Sequence, residues 1–117
     1  MSNYIEQRPW GKFENLLDED YCKVKRITVS PGGQPSYQYH HHRSEVWTIV
    51  KGAATVTLNG EIIKYNEGEV VFVPQGAKHR VKNNEKEDLI FIEVQTGTYF
   101  GEDDIVRIED DYGRTSV

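Results

Sequence analysis

Asn59-Gly60 stands between Val56-Thr57-Leu58 and Glu61-Ile62-Ile63, and this pair commits the middle of the chain to a β-hairpin. Asn and Gly tolerate the positive φ of a type I′ turn, whose twist matches the strands on either side. The same grammar recurs along the sequence. Runs 12–17, 21–29, 36–42, 46–50, 54–58, 61–65, 70–73, 79–82 and 89–95 read as short strands between turn residues, and helix signals are nearly absent. Pro31 and Pro74 fall at strand ends, where a missing N–H costs little. Many short strands at this spacing predict an antiparallel sandwich or small barrel. The N-terminal Arg8-Pro9-Trp10-Gly11 reads as an arm too short to fold alone. The acidic tail 102–117, with Ile105, Val106 and Ile108 as its apolar stripe, reads as one last strand or arm that packs back and then frays.

At 117 residues the chain has room for one domain and one core. Fourteen Lys plus Arg against nineteen Asp plus Glu give a net charge of −5, with no basic stripe to track a nucleic-acid backbone. No nucleic-acid partner is expected. A single cysteine, Cys22, excludes an internal disulfide and fits a reducing compartment. It reads as a structural thiol in an alternating strand rather than as a nucleophile. No charged-then-apolar leader and no long apolar run is present, so no export signal and no membrane span are expected, and the location read from this is cytoplasmic.

All four histidines fall in two short segments. The first runs from Gly32 through Gln38, His40, His41, His42 and Glu45 to Gly52; the second runs from Gly68 through Pro74, Gly76 and His79 to Asn83. In a strand, residues i and i+2 share a face, so Gln38, His40 and His42 project together. Glu45 breaks that parity, which a bend around Arg43-Ser44 would restore. His79 follows the rigid turn Pro74-Gln75-Gly76 and arrives from a separate strand. Two imidazoles, a carboxylate and an amide make a ligand set for one divalent ion: zinc first, with cobalt, nickel, manganese or iron as alternatives. Without an ion, those converging polar groups would cost roughly 1–3 kcal/mol each. Gln38 either ligates the ion or hydrogen-bonds a water on it.

The spacing Gly32, Gln38, His40, Glu45, Gly52 resembles the first cupin motif, with glutamine where most cupins carry histidine. Gly68, Pro74, Gly76, His79, Asn83 matches the second at every marked position. The implied fold is all-β: the cupin double-stranded β-helix, an antiparallel jelly-roll barrel with short N- and C-terminal arms. The segments RPWG, KVKRITVSPGG, QYHHHRSEVW, VPQGAKHR, IEVQTG and GEDDIVRIEDDYGR are similar to the isomerase portion of type II phosphomannose isomerases, from Arg8 to Arg114. That resemblance nominates Gln38, His40, Glu45 and His79 as metal ligands. It implies interconversion of mannose 6-phosphate and fructose 6-phosphate. The nucleotidyltransferase domain that commonly precedes this portion has no counterpart here, so guanylyl transfer is not expected.

Aldose–ketose exchange moves a proton between C1 and C2 through an enediol, and a base titrating near neutrality must carry it. His42 and Glu93 are the nominees, the latter if its side chain faces the barrel; Arg43 is placed to steady the enediolate. An acidic protein needs local positive charge to hold a sugar phosphate, and Arg107 and Arg114, in a tail folding over the barrel mouth, are the nominees for the phosphate. Lys78 and Arg80 flank His79, but alternation turns both away. His41 points to the opposite face, toward packing or a subunit contact. His42 serves equally well as support for the site, substrate contact or polar filler. Trp47, Tyr37, Tyr39 and Phe72 read as packing rather than as a sugar-stacking platform. Bulky aromatics and two arms on so small a barrel predict a homodimer. Two other readings compete: a cupin of other metal chemistry such as a dioxygenase, which Gln38 disfavours, and a non-catalytic sugar-binding module.

Overall fold

The architecture is that of a computed structural model, which describes residues 4–109. Eleven strands form two antiparallel sheets. β1 (Tyr4–Arg8), β2 (Gly11–Asp18), β3 (Lys23–Val29), β10 (Leu89–Gly97), β5 (Arg43–Lys51) and β8 (Val70–Val73) lie in that order in a six-stranded sheet. β11 (Ile105–Glu109), β4 (Tyr37–His40), β9 (His79–Lys82), β6 (Ala54–Leu58) and β7 (Glu61–Tyr65) form a five-stranded sheet. One turn of 3-10 helix, Glu102–Asp104, leads into β11. Among the described residues the two sheets share no strand pair, so this is a jelly-roll sandwich rather than a closed barrel. No helix there is long and apolar enough to cross a membrane.

Strict alternation along β5 and β10 explains the core. On β5, Arg43, Glu45, Trp47 and Ile49 face inward; on β10, Leu89, Phe91, Glu93 and Gln95 do so. Ile49, Leu89 and Phe91 join Val29, Val56 and Val71 in an apolar layer between the sheets. Trp47 stacks on Phe91 with ring centroids 4.8 Å apart. The charged half of the same inward rows lies beside that layer, and it becomes the site. The expected turn at Asn59-Gly60 is present, with φ of +47° and +86°. Asn83 closes the far end: its main chain exchanges hydrogen bonds with Gly32 and Gly33, while its side-chain amide donates to Val29 and Glu87 carbonyls.

Several expectations need correction. The strand predicted over 36–42 stops at His40, and the chain turns at His41-His42, so β5 begins at Arg43 and the bend lies before Arg43-Ser44. Cys22 is half-buried in the β2–β3 turn rather than in a strand. The predicted arm Arg8-Pro9-Trp10-Gly11 is a hairpin turn: Pro9 and Trp10 link β1 to β2, which pair from Tyr4↔Asn15 to Arg8↔Gly11. The tail forms β11 as expected, and pairs with β4. Residues 110–117, including Arg114, lie outside the described residues.

Candidate metal centre

Glu45 is held from three sides. Arg43 Nε donates to its Oε2 at 3.0 Å, Trp47 Nε1 donates to its Oε1 at 2.9 Å, and His40 Nε2 stands 3.2 Å from Oε2. The first two contacts follow from alternation, because Arg43, Glu45 and Trp47 share the inner face of β5. His40 comes from the facing sheet, at the end of β4, and His79 from β9 beside it. One ligand atom from each of His40, Glu45 and His79 lies within 4.8 Å of the others, and all three residues are buried. Gln38 stands directly opposite His79 in the β4–β9 pairing and lines the same cleft, where its Oε1 accepts from Ser36 Oγ at 3.2 Å.

Whether this cluster suits a cation can be judged from its unused atoms. His79 Nδ1 donates to the Ala77 carbonyl at 3.0 Å, which leaves the lone pair on Nε2, and that atom is buried without a hydrogen-bond partner. His40 Nδ1 is likewise buried and unpartnered. Burial, first, holds His79 below its ordinary value, with His40 and Arg43 adding to the effect against Glu45, so the imidazole is neutral and able to ligate. Burial pushes Glu45 up, but the hydrogen bond and charge of His40, with His79 and Arg43, outweigh it; the carboxylate sits well below its usual range. An ionised carboxylate and a neutral imidazole with a buried lone pair are the forms a divalent ion requires. The donor set fits.

Glu93 faces into the same cleft from β10, meeting the condition set for it from the sequence. Burial above all, then the charge of Glu45 and a hydrogen bond to it, pushes its carboxyl up to about 8, with Lys25 and Arg43 pulling the other way. Gln95 Nε2 donates to Glu93 Oε2 at 2.7 Å. Arg43, 4 % exposed, also lines the cleft, and its Nη2 lies 3.4 Å from His40 Nε2.

His42 does not share the face of His40. It sits in the turn after β4 with an exposed side chain, and its Nδ1 lies 2.9 Å from Asp104 Oδ1. Asp104 also accepts the backbone N–H groups of His41 and His42, which fixes the turn from outside the cleft. Arg107, on β11 opposite Gln38, lines the cleft. Arg80 donates to the Pro35 and Glu109 carbonyls, tying β9 to its neighbours. Two residues were missed. Asp104 looked like one more acid in an acidic tail, and its partners are far away in sequence. Lys25 lines the cleft at 4 % exposure; its parity with Ile27 and Val29 on β3 was the available signal.

The family described as "Mannose-6-phosphate isomerase C-terminal" matches residues 3–110. Xanthan biosynthesis protein XanB of Xanthomonas campestris is 50% identical over 108 residues, 92% of this chain and 23% of that protein. Mannose-1-phosphate guanylyltransferase ManC of Salmonella typhimurium is 50% identical over 107 residues, 92% of this chain and 22% of that one. The chain therefore spans about a quarter of the length of the curated relatives it matches. Among solved structures, an RmlC-like cupin from Shewanella frigidimarina superposes with a TM-score of 0.73 at 24% identity, covering 86% of this chain and 87% of the other. That likeness establishes the cupin fold.

Proposed function

The chain belongs to the mannose-6-phosphate isomerase C-terminal family, and from that premise we propose that it interconverts mannose 6-phosphate and fructose 6-phosphate. One observation carries the reading beyond family membership: Glu45 and His79, clustered with the buried His40, line a cleft together with the raised carboxyl of Glu93 and the buried guanidinium of Arg43. His40, Glu45 and His79, with the Gln38 amide beside them, would hold the ion. A divalent ion there supplies Lewis-acid polarisation of the sugar carbonyl.

The protein's own groups do the rest. Glu93 moves the proton between C1 and C2. Its carboxyl, raised chiefly by burial, is basic enough to take a proton α to a carbonyl and acidic enough to return it. Arg43 offers fixed positive charge to the enediolate oxygen inside the cleft. His42, on the outer side of its turn, leaves Glu93 as the base of this reading. Arg107 reaches the cleft from β11 toward the phosphate, with Arg114 as the second nominee. Glu45 stays ionised under the hydrogen bonds of Arg43 and Trp47.

A coupled assay for fructose 6-phosphate, with zinc- or cobalt-restored protein, tests this. Wild-type turnover is expected, and Glu93→Gln should lower kcat by roughly 10²–10⁴ with metal content unchanged. No product from wild type overturns the isomerase reading; undiminished turnover by Glu93→Gln overturns the base assignment. The homodimer is also retained as a proposal, on the exposed Val50, Val70 and Phe72 around strand β8, and light scattering tests it.

A further inference from the structure

The inner face of the six-stranded sheet reads in order across its strands. Glu45 and Trp47 lie on β5; Trp47 pairs with Glu93 on β10, and Glu93 pairs with Lys25 on β3. Asn15 on β2 stands opposite Lys25, and Phe13, two residues along the same strand, lies beside it with Arg8 of β1. Lys25, Phe13 and Arg8 form one unit. Lys25 Nζ lies 4.2 Å from the centroid of the Phe13 ring, and the Arg8 guanidinium lies 5.3 Å from the same centroid. All three line the cleft that holds Glu45 and His79.

Two cations gathered on one aromatic ring repel each other, although Arg8 also pairs with the Glu6 carboxylate and the Lys25 charge acts on the Glu93 carboxyl opposite it. The ring quadrupole offsets part of that repulsion, roughly 0.5–2 kcal/mol per cation. An anion entering the cleft would offset more. Distance identifies which anion. Adjacent strands lie ~4.8 Å apart, so β3 is ~10 Å from β5 across the sheet. In an open-chain hexose 6-phosphate, six bonds of about 1.5 Å link C2 to phosphorus, a zigzag reach of ~7–8 Å. A sugar with C1 and C2 beside His40, Glu45 and His79 therefore carries its phosphate past Glu93 to the Lys25–Phe13–Arg8 unit. The flexible lysine stem covers the remainder.

We infer that Lys25 and Arg8, held on the face of Phe13, form the seat for the phosphate of a hexose 6-phosphate, with Arg107 facing them from the other sheet. This rests on the isomerase reading for the position of C1 and C2. It gives the N-terminal strand β1 a role beyond closing the sheet edge, since that strand delivers Arg8. Lys25 is the specificity-determining residue: it distinguishes phosphorylated hexose from free hexose.

The test pairs kinetics with binding on the metal-restored chain. Lys25→Met and Arg8→Gln are each expected to raise KM for mannose 6-phosphate roughly 10- to 100-fold, the loss of one charge-assisted contact; kcat should change far less in Arg8→Gln, while Lys25→Met, which removes a charge that lowers Glu93, should also shift the pH profile of kcat upward. Inhibition by inorganic phosphate should weaken in parallel, and Lys25→Arg should recover most of it. Unchanged KM and phosphate inhibition in both variants overturn the assignment. Should wild type show no isomerase activity, calorimetric titration with fructose 6-phosphate against fructose still decides the seat. A preference for the phosphorylated sugar that Lys25→Met abolishes supports it; no preference, or one that survives, overturns it. If Lys25→Met fails to fold by circular dichroism, Arg8→Gln, at a half-exposed position, carries the decision.

Discussion

The indole N–H of Trp47 donates to Glu45 Oε1 at 2.9 Å, two residues along the same face of β5. The bond aims a carboxylate whose other oxygen belongs to Arg43 and His40. Trp47→Phe keeps an aromatic ring against Phe91, removes that donor and leaves a void where the larger indole met Phe91 and His79. Metal affinity should fall roughly 10- to 100-fold, as for other groups that orient a ligand from behind. Competition with a fluorescent chelator measures it; unaltered affinity would show that the indole plays no part in the site.

Gly97 touches the ligand turn directly. At φ +150° it packs so that any Cβ would stand 2.1 Å from the His42 carbonyl oxygen and 2.8 Å from Arg43 Cα. Gly97→Ala must displace the backbone between His40 and Glu45, at a cost of about 2 kcal/mol or more. Both the urea midpoint and the metal affinity should drop. A stable variant with wild-type affinity would mean that the turn yields without moving the ligands.

Asp104 anchors the same turn from outside, through the backbone N–H groups of His41 and His42 and the His42 ring. Asp104→Ala leaves those N–H groups without their acceptor and loosens the entry to β11, which carries Arg107. A stability loss of about 2–4 kcal/mol is expected by urea denaturation, together with a higher KM for the sugar phosphate. Loss of neither would assign Asp104 to the surface.

How much of this was legible depended on whether the deciding contact was local. Strands β6 to β9 could be bounded from sequence because Asn59-Gly60, Gly68 and Pro74 punctuate them on the spot. His40, Glu45 and His79 were found because imidazole and carboxylate at motif spacing have few other uses. The turn at His41-His42 was misplaced: alternation of polar residues continues through it, and what breaks the strand is Asp104, far along the chain. Arg8-Pro9-Trp10-Gly11 was read as an arm too short to fold alone; the pairing of Tyr4–Arg8 with β2, which makes it a hairpin turn, carries no local signal. Lys25 hid among surface-like lysines until the register set it opposite Glu93.

The acid–base profile follows from two carboxyls shifted in opposite directions. Glu93 is pushed up to about 8, above the ~4.3 of an unfolded glutamate, so the folded chain keeps a proton that the unfolded chain releases between those values. That contribution to stability is complete below ~4.3 and is lost as pH rises through the folded value. Glu45, depressed, contributes above ~4.3 and loses its contribution in acid. Metal-free protein should weaken toward urea between about pH 6.5 and 8, above the range in which the depressed His79 contributes the opposite slope, and Glu93→Gln should flatten it. A level wild-type profile across this window contradicts the assignment.

Elemental analysis of the purified, metal-restored chain beside Glu45→Gln and His79→Ala tests most directly whether three buried residues hold one divalent ion. About one equivalent per chain in wild type is expected, with none retained by either variant after dialysis. Stoichiometric metal in either variant would contradict the account.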